Sequence, residues 1–183
     1  MSETPSENQP FPVALKLASK HCVVVGEGNE ASARARALMA AGALVSVVTP
    51  SEWQPADLDD AWLVVLTARD PELAERLSRE AESRRVFFCA VDQPTFGSFT
   101  HLALARAGAV FAAIGTGGRA PALARRLREL VQELFDRADL ASFAERLSEL
   151  RERTPSEDRA RVLGSAVARL KLEGHLVIPS DTP

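Results

Sequence analysis

Five short apolar runs, each closed by turn-forming residues, set the rhythm of the first two thirds of the chain: 21–26 (HCVVVG), 44–49 (LVSVVT), 62–67 (WLVVLT), 86–91 (VFFCAV) and 109–115 (AVFAAIG). They are nearly continuous rather than alternating, which is the pattern of strands covered on both faces in a parallel sheet. Between them the period lengthens to that of a helix. Residues 30–41 (EASARARALMAA) stop at Gly42, and 71–84 (PELAERLSREAESR) open with Pro71 directly after Asp70, a helix-capping acid. Beyond Pro121 the strands give way to three amphipathic helices, expected over 122–138, 140–154 and 156–174, with Leu, Val and Phe recurring at i, i+3, i+4 and i+7. Ser156, Glu157 and Asp158 form the start of the last, and Gly174 its end.

Strand–helix alternation of this kind predicts a Rossmann-like α/β fold, a doubly wound and mostly parallel sheet, followed by a C-terminal helical region. One connection constrains the strand order. The link 50–61 has room for only a turn or so of helix, too little for a crossover of regular length. Strand 44–49 is therefore expected on one side of strand 21–26 and strand 62–67 on the other. The tip of 21–26 then becomes the topological switch point, where open α/β sheets bind ligands.

That tip reads VVVGEGNEA. Gly26 and Gly28 give G-x-G, and Ala31 takes the third small-residue place. Such a loop turns tightly at Gly26, lets a pyrophosphate approach the backbone at Gly28, and presents the helix N-terminus, from Asn29 on, to its charge. Glu27 and Glu30 oppose an anion here unless their side chains point away. The ribose-binding acid usual about 20 residues on is missing from the strand tip: Thr49 stands there, and Glu52 lies three residues beyond. An Arg for a 2′-phosphate is missing too, so the motif favours NAD over NADP.

Two further stretches carry chemistry. Asp92, in AVDQPTFGSF, directly follows an apolar strand at the carboxyl edge, where a carboxylate can accept a proton. The plainer reading is a turn-former before Pro94. In AIGTGGRAP, Thr116, Gly117, Gly118 and Arg119 precede a helix beginning at Pro121, a combination suited to an anion. The plainer reading is a strand–loop–helix joint with solvated arginines.

Composition narrows the class. A formal net charge of −3 and a pI near 5.7 argue against a general nucleic-acid binder. All but three of the 22 Lys and Arg residues are arginine, the exceptions being Lys16, Lys20 and Lys171. Arginine suits bidentate binding of carboxylate or phosphate, although codon bias would give the same count. No apolar run is long enough to span a membrane. The polar, acidic start MSETPSENQP reads as a disordered tail and not as a signal peptide, so a cytoplasmic location is expected. Cys22 and Cys89 sit inside apolar runs as reduced core thiols, and His21, His101 and His175 match no metal-ligand spacing.

Taken in order, FPVALKLASKHCVVVGEGNEASARARALMAAGALVSVVTP, DPELAERL, VDQPTFGSF and AIGTGGRAPALARRLRE resemble the precorrin-2 dehydrogenase family, which includes the N-terminal module of siroheme synthase. The resemblance runs from Phe11 to Arg128. It implies oxidation of precorrin-2 to sirohydrochlorin with NAD as hydride acceptor, on the way to siroheme. Some members also insert ferrous iron into the product. It further implies a homodimer whose C-terminal helices build the interface and the tetrapyrrole site. On this basis the chain divides into a tail (1–10), a dinucleotide-binding domain (11–118) and a helical dimerisation and tetrapyrrole-binding region (119–183). Asp92 falls on the family's key aspartate. The nucleotide loop falls on Gly26, Gly28, Asn29 and Ala31, with Thr49 and Thr67 at the neighbouring strand tips. The substrate loop falls on Thr116, Gly117, Gly118 and Arg119, and no protein metal site is implied.

The chain departs from the family at Glu27, usually glycine, and at Glu30, usually small and apolar. In TARD, Ala68 replaces a usual threonine, and Ala74, Leu102 and Ala120 replace a usual asparagine, proline and serine. The link 50–61 is short by roughly a strand. These departures keep two alternatives open: a sirohydrochlorin ferrochelatase without dehydrogenase activity, and a paralogue that binds tetrapyrrole or nucleotide without turnover.

Overall fold

The computed structural model of the chain describes residues 10–178, so the tail expected over 1–10 lies, apart from Pro10, outside the described residues. The chain forms two compact units, Met1–Leu102 with Gly115–Pro121, and Ala103–Ile114 with Ala122–Pro183.

The first unit is built on strands β1 (His21–Val25), β2 (Leu44–Val48), β3 (Ala61–Leu66) and β4 (Phe87–Ala90), with helices α1 (Gly28–Ala40) and α2 (Pro71–Arg84). The strands lie in the order β2-β1-β3-β4 and every pairing is parallel. The short link, whose only regular piece is a 3₁₀ turn at Pro55–Leu58, thus carries the chain from one side of β1 to the other, as its length requires. Burial follows from the order. β1 is central, and Cys22 to Val25 have no exposed surface. β2 is an edge, so its apolar run is less buried than its pattern implied, with Leu44 and Val47 more than half exposed.

Local chemistry fixes the helix ends. α1 closes in a left-handed turn at Gly42 (φ 82°), where Gly42 N–H donates to Met39 O and Ala43 N–H to Leu38 O. α2 opens with the Asp70 carboxylate accepting from Leu73 N–H at 3.0 Å and with Pro71 in the first turn. One face of the sheet receives α2: Val23, Val25, Val64, Leu66, Phe88 and Ala90 pack with Leu73, Ala74 and Leu77 and with Trp53 and Leu58 from the link. The other receives α1: Cys22, Val24, Leu63 and Val65 pack with Ala31, Ala35 and Leu38. Cys22 and Cys89 are buried and unpaired, and burial raises both thiol pKa values.

The fifth apolar run does not join this sheet. It forms β6 (Val110–Ile114), antiparallel to β5 (Ala103–Ala107), a strand absent from the sequence reading. Only 91–102 separates β4 from β5, and Gly108 at φ 58° begins a two-residue turn that pairs 110–114 with what precedes it. A two-residue connection of this kind closes an antiparallel hairpin, which takes the run away from the parallel sheet.

In the second unit, helix α3 (Pro121–Arg137) clips the hairpin through Gln132, whose amide accepts from Arg106 N–H and donates to Arg106 O, both at 2.9 Å. Helix α4 (Leu140–Arg153) brings Ala141 beside Gly108. The last helix, α5 (Arg159–Val167), is shorter than the expected 156–174. It contains Gly164 and Ser165 and buries no side chain, so nothing offsets its poor helix formers. Among the described residues no helix is long and apolar enough to cross a membrane.

Candidate functional site

Three backbone hydrogen bonds draw the strand tips to one level. Gly26 N–H donates to Val48 O, Thr67 N–H to Val25 O and Val91 N–H to Leu66 O, each at 2.9 Å. The glycine loop after β1, Thr49 after β2, Thr67–Asp70 after β3 and Asp92 after β4 therefore all leave the same carboxyl edge of the sheet.

The glycine loop has a packed half and an open half. Gly26 is buried at φ 154°, and a β-carbon there would overlap the Thr67 hydroxyl and lie 3.2 Å from Thr67 Cβ. Ala31 Cβ would be 3.6 Å away, so Thr67 and Ala31 together explain why this position has no side chain. Gly28, at φ 72°, has nothing within 4 Å of its would-be β-carbon. Its backbone faces open space at the start of α1, where first-turn N–H groups lack intrahelical partners.

An open cleft of about 420 Å³ lies between the tips, lined by Glu27, Pro50, Ser51, Thr67 and Ala68. These positions come from the loop after β1 and from the ends of β2 and β3, around the switch point. The cleft lies where this kind of fold places a dinucleotide, and its charge is mixed. Glu30 is neutralised by Arg34, one turn on, at 2.7 Å. Glu27 caps α1 without a side-chain hydrogen bond to it and stays in the cleft wall.

Thr49 meets a partner that strand spacing concealed: its Oγ1 donates to Glu52 Oε2 at 2.8 Å. Asp92 meets another. Its carboxylate pairs at 2.6 Å with Arg69, the third residue of TARD, and both side chains remain largely exposed. Asp92 stands at φ 59°, a left-handed conformation that Asp adopts more readily than most residues. Gln93 fastens the start of the loop by donating from Nε2 to Ala68 O at 3.1 Å.

The rest of VDQPTFGSF holds the sheet edge. Ser98 N–H donates to Phe88 O at 2.8 Å, and Ser98 Oγ accepts from Phe88 N–H at 2.9 Å, so the loop satisfies the outer edge of β4. Gly97 permits this approach, since its β-carbon would stand 3.2 Å from Phe88 O. Phe96 packs toward the α2 side and Phe99 toward the α1 side. His101 follows, its ring edge-on to Phe99 at 5.4 Å. Burial of that ring, helped by the nearby Arg34 guanidinium, lowers its pKa from 6.5 to about 4, although the residue as a whole is exposed.

The second glycine loop is a tight turn. Arg119 N–H donates to Thr116 O at 3.2 Å, and Thr116 Oγ1 accepts from Ala120 N–H at 3.3 Å. Gly117 and Gly118 take φ of 61° and 77° with open space around them. The Thr116 hydroxyl is thus already engaged in shaping its own loop.

Comparison with known proteins agrees with this architecture. Residues 13–103 match a family model described as putative NAD(P)-binding. The siroheme synthase of Methylobacillus flagellatus is 34% identical over 155 residues, which cover 73% of this chain and 33% of that protein. The siroheme synthase of Escherichia coli O1:K1 is 31% identical over 144 residues, covering 68% and 32%. The chain thus spans about a third of the length of these curated relatives. The solved structure of SirC, a precorrin-2 dehydrogenase, superposes with a TM-score of 0.71 at 20% identity, over 86% of this chain and 89% of that one, a likeness of fold. With four parallel strands around a glycine loop, the chain has the fold of a solved precorrin-2 dehydrogenase, matches a putative NAD(P)-binding model over residues 13–103, and is similar over 68–73% of its length to about a third of these siroheme synthases.

Proposed function

We propose that the chain oxidises precorrin-2 to sirohydrochlorin with NAD, as a cytoplasmic homodimer in siroheme biosynthesis. The observation that carries this reading is the convergence of the glycine loop, the β2–β3 cleft and Asp92 on one edge of the sheet. Bound NAD supplies the hydride acceptor. The chain's own contribution is position and proton transfer. Gly26 and Gly28 admit a pyrophosphate to the backbone, α1 turns its N-terminus toward that charge, and Thr49 and Thr67 flank the loop at the adjoining tips. Asp92 takes up the proton that leaves the macrocycle as the hydride departs, its carboxylate oriented by the left-handed turn and by Arg69. Arg69 in turn is placed to exchange this pairing for a substrate carboxylate. Thr116, Gly117, Gly118 and Arg119 form the second anion-binding loop of the proposal. Homodimerisation is supported by the apolar side chains that the C-terminal helices leave exposed, among them Leu123, Leu134 and Val167. In family members that insert ferrous iron, the iron is a substrate, and the same carboxylate would accept the displaced pyrrole protons.

The test is the appearance of NADH when the purified chain meets NAD and freshly prepared precorrin-2 without added metal. Turnover is expected in the native chain and its loss in Asp92→Ala, with an unchanged melting curve because Asp92 is an exposed loop residue. A folded native chain that makes no NADH overturns the reading.

A further inference from the structure

A ribose is recognised in this kind of fold by a carboxylate near the tip of the second strand, which accepts from the vicinal hydroxyls. The tip of β2 offers Thr49 instead. The chain beyond it, however, does not run on. Glu52 N–H and Trp53 N–H both return to Thr49 O, at 3.2 and 3.1 Å. Trp53 is buried, with 6% of its surface exposed, and pins the far end of this turn in the α2-side core. The Thr49 hydroxyl donates to Glu52 Oε2 at 2.8 Å and lies 3.1 Å from Ser51 Oγ. A carboxylate three residues past the strand is thereby tied back to the strand end. Pro50 and Ser51 of the same turn line the cleft opposite Thr67 and Ala68.

We propose that Glu52, held by Thr49, receives the adenosine ribose hydroxyls and makes this cleft select NAD over NADP. The proposal rests on the reading that the cleft takes a dinucleotide. One hydroxyl from Thr49 uses only part of the acceptor capacity of a carboxylate, so the group can still take both ribose hydroxyls. A 2′-phosphate in the same place would be set against the Glu52 charge. The residues that line the cleft include no cation to receive that phosphate, and the charge of Glu27, on the side of the glycine loop, opposes both nucleotides alike. Rejection of NADP is built from repulsion as well as from a missing partner. The short link contributes directly: it confines 49–53 to one tight turn, which keeps the backbone of the acid beside the strand tip.

The experiment is a titration of the full chain with NADH and with NADPH, followed by nucleotide fluorescence and without tetrapyrrole. The native chain is expected to bind NADH at least about tenfold more tightly than NADPH. Glu52→Gln should cost NADH about tenfold, the scale of a lost charged hydrogen bond, while NADPH binding holds or improves. Thr49→Val, which unties the carboxylate without removing it, should give a smaller loss of the same sign. Glu27→Gln should shift both nucleotides alike. Glu52 is exposed, so melting curves of its variants should match the native one. Equal binding of the two nucleotides, an unchanged ratio in Glu52→Gln, or a ratio that moves as far in Glu27→Gln as in Glu52→Gln each overturns the proposal. A folded chain that binds neither nucleotide overturns both this proposal and the dehydrogenase reading. Glu52-dependent preference for NADH in a chain that leaves precorrin-2 untouched supports the proposal and overturns only the dehydrogenase reading.

Discussion

On the α2 face of the parallel sheet, Phe88, Leu66, Leu73, Leu77 and Trp53 interlock with the strand valines in a layer of large side chains. On the α1 face the helix contributes Ala31, Ala35 and Leu38, and the neighbouring turn adds Ala43. The same four strands thus carry a thick layer on one side and a thin one on the other. The difference follows from what each helix must do. α2 has only to cover the sheet, so it can use bulk. α1 must bring its first turn close to the tip of β1 to place the glycine loop, and small residues permit that approach. The α2 face should therefore hold most of the folding free energy, and the α1 face most of the fit needed by a ligand.

The sharpest way to break this contrast is Phe88→Ala. Phe88 is 2% exposed, and truncating a fully buried Phe costs about 3–5 kcal/mol through lost burial and the cavity left behind. A denaturant titration should show that loss, whereas the fraction that remains folded should bind NADH with native affinity. If affinity fell in step with stability, the division of labour between the faces would be wrong.

Gly26→Ala is the complementary change on the α1 face. Its new β-carbon overlaps the Thr67 hydroxyl on a backbone that L residues rarely adopt. Overpacking of this kind costs about 1–3 kcal/mol, less than the Phe88 cavity, with the backbone strain added to it. NADH binding should nevertheless be lost, because the loop can relieve the overlap only by moving the backbone proposed to meet the pyrophosphate. Adding Thr67→Ala removes the hydroxyl and leaves Thr67 Cβ 3.2 Å from the new atom, so stability should recover in part. Full stability in Gly26→Ala alone would show that the tip is slack.

Much of this arrangement is legible in the residues. The four parallel strands are announced by apolar runs, their order by the short link, α1 by Gly42 and α2 by Asp70 and Pro71. The fifth run misleads because AVFAAIG is as apolar as a buried strand, whereas its partner ALARA has no such signature. The turn between them, with Gly108 first, was the available signal. The site divides in the same way. Glycines declare themselves, because conformation and close approach demand them. The partners of Thr49 and Asp92 do not, because turn closure delivers Glu52 and adjacency of the β3 and β4 tips delivers Arg69, which stands 23 residues from Asp92. Register offers a route to the second: Leu66 pairs with Ala90, which sets the residues after each strand side by side.

The smallest expected effect separates the faces by pH. His101 sits on the α1 side, its ring against Phe99, which packs on that layer. Burial first, and then the Arg34 guanidinium, lower its pKa from 6.5 to about 4, with Glu30 opposing the shift. The folded chain therefore holds the ring neutral where the unfolded chain would already have protonated it. The stabilisation from this group is complete above about 6.5 and is lost as the pH falls through the window down to about 4. His101→Phe keeps an aromatic ring for Phe99 and removes the titration. Unfolding titrations of the native and variant chains across that window should converge, the native chain losing stability faster on the acid side. Carboxylates elsewhere contribute equally to both chains and cancel in the difference. Phe88→Ala, in contrast, should lower stability by the same amount at every pH in the window, since nothing titrates in the change. Parallel curves for the native and His101→Phe chains would mean that the ring is solvated in both states, and that the thin face carries no pH linkage of its own.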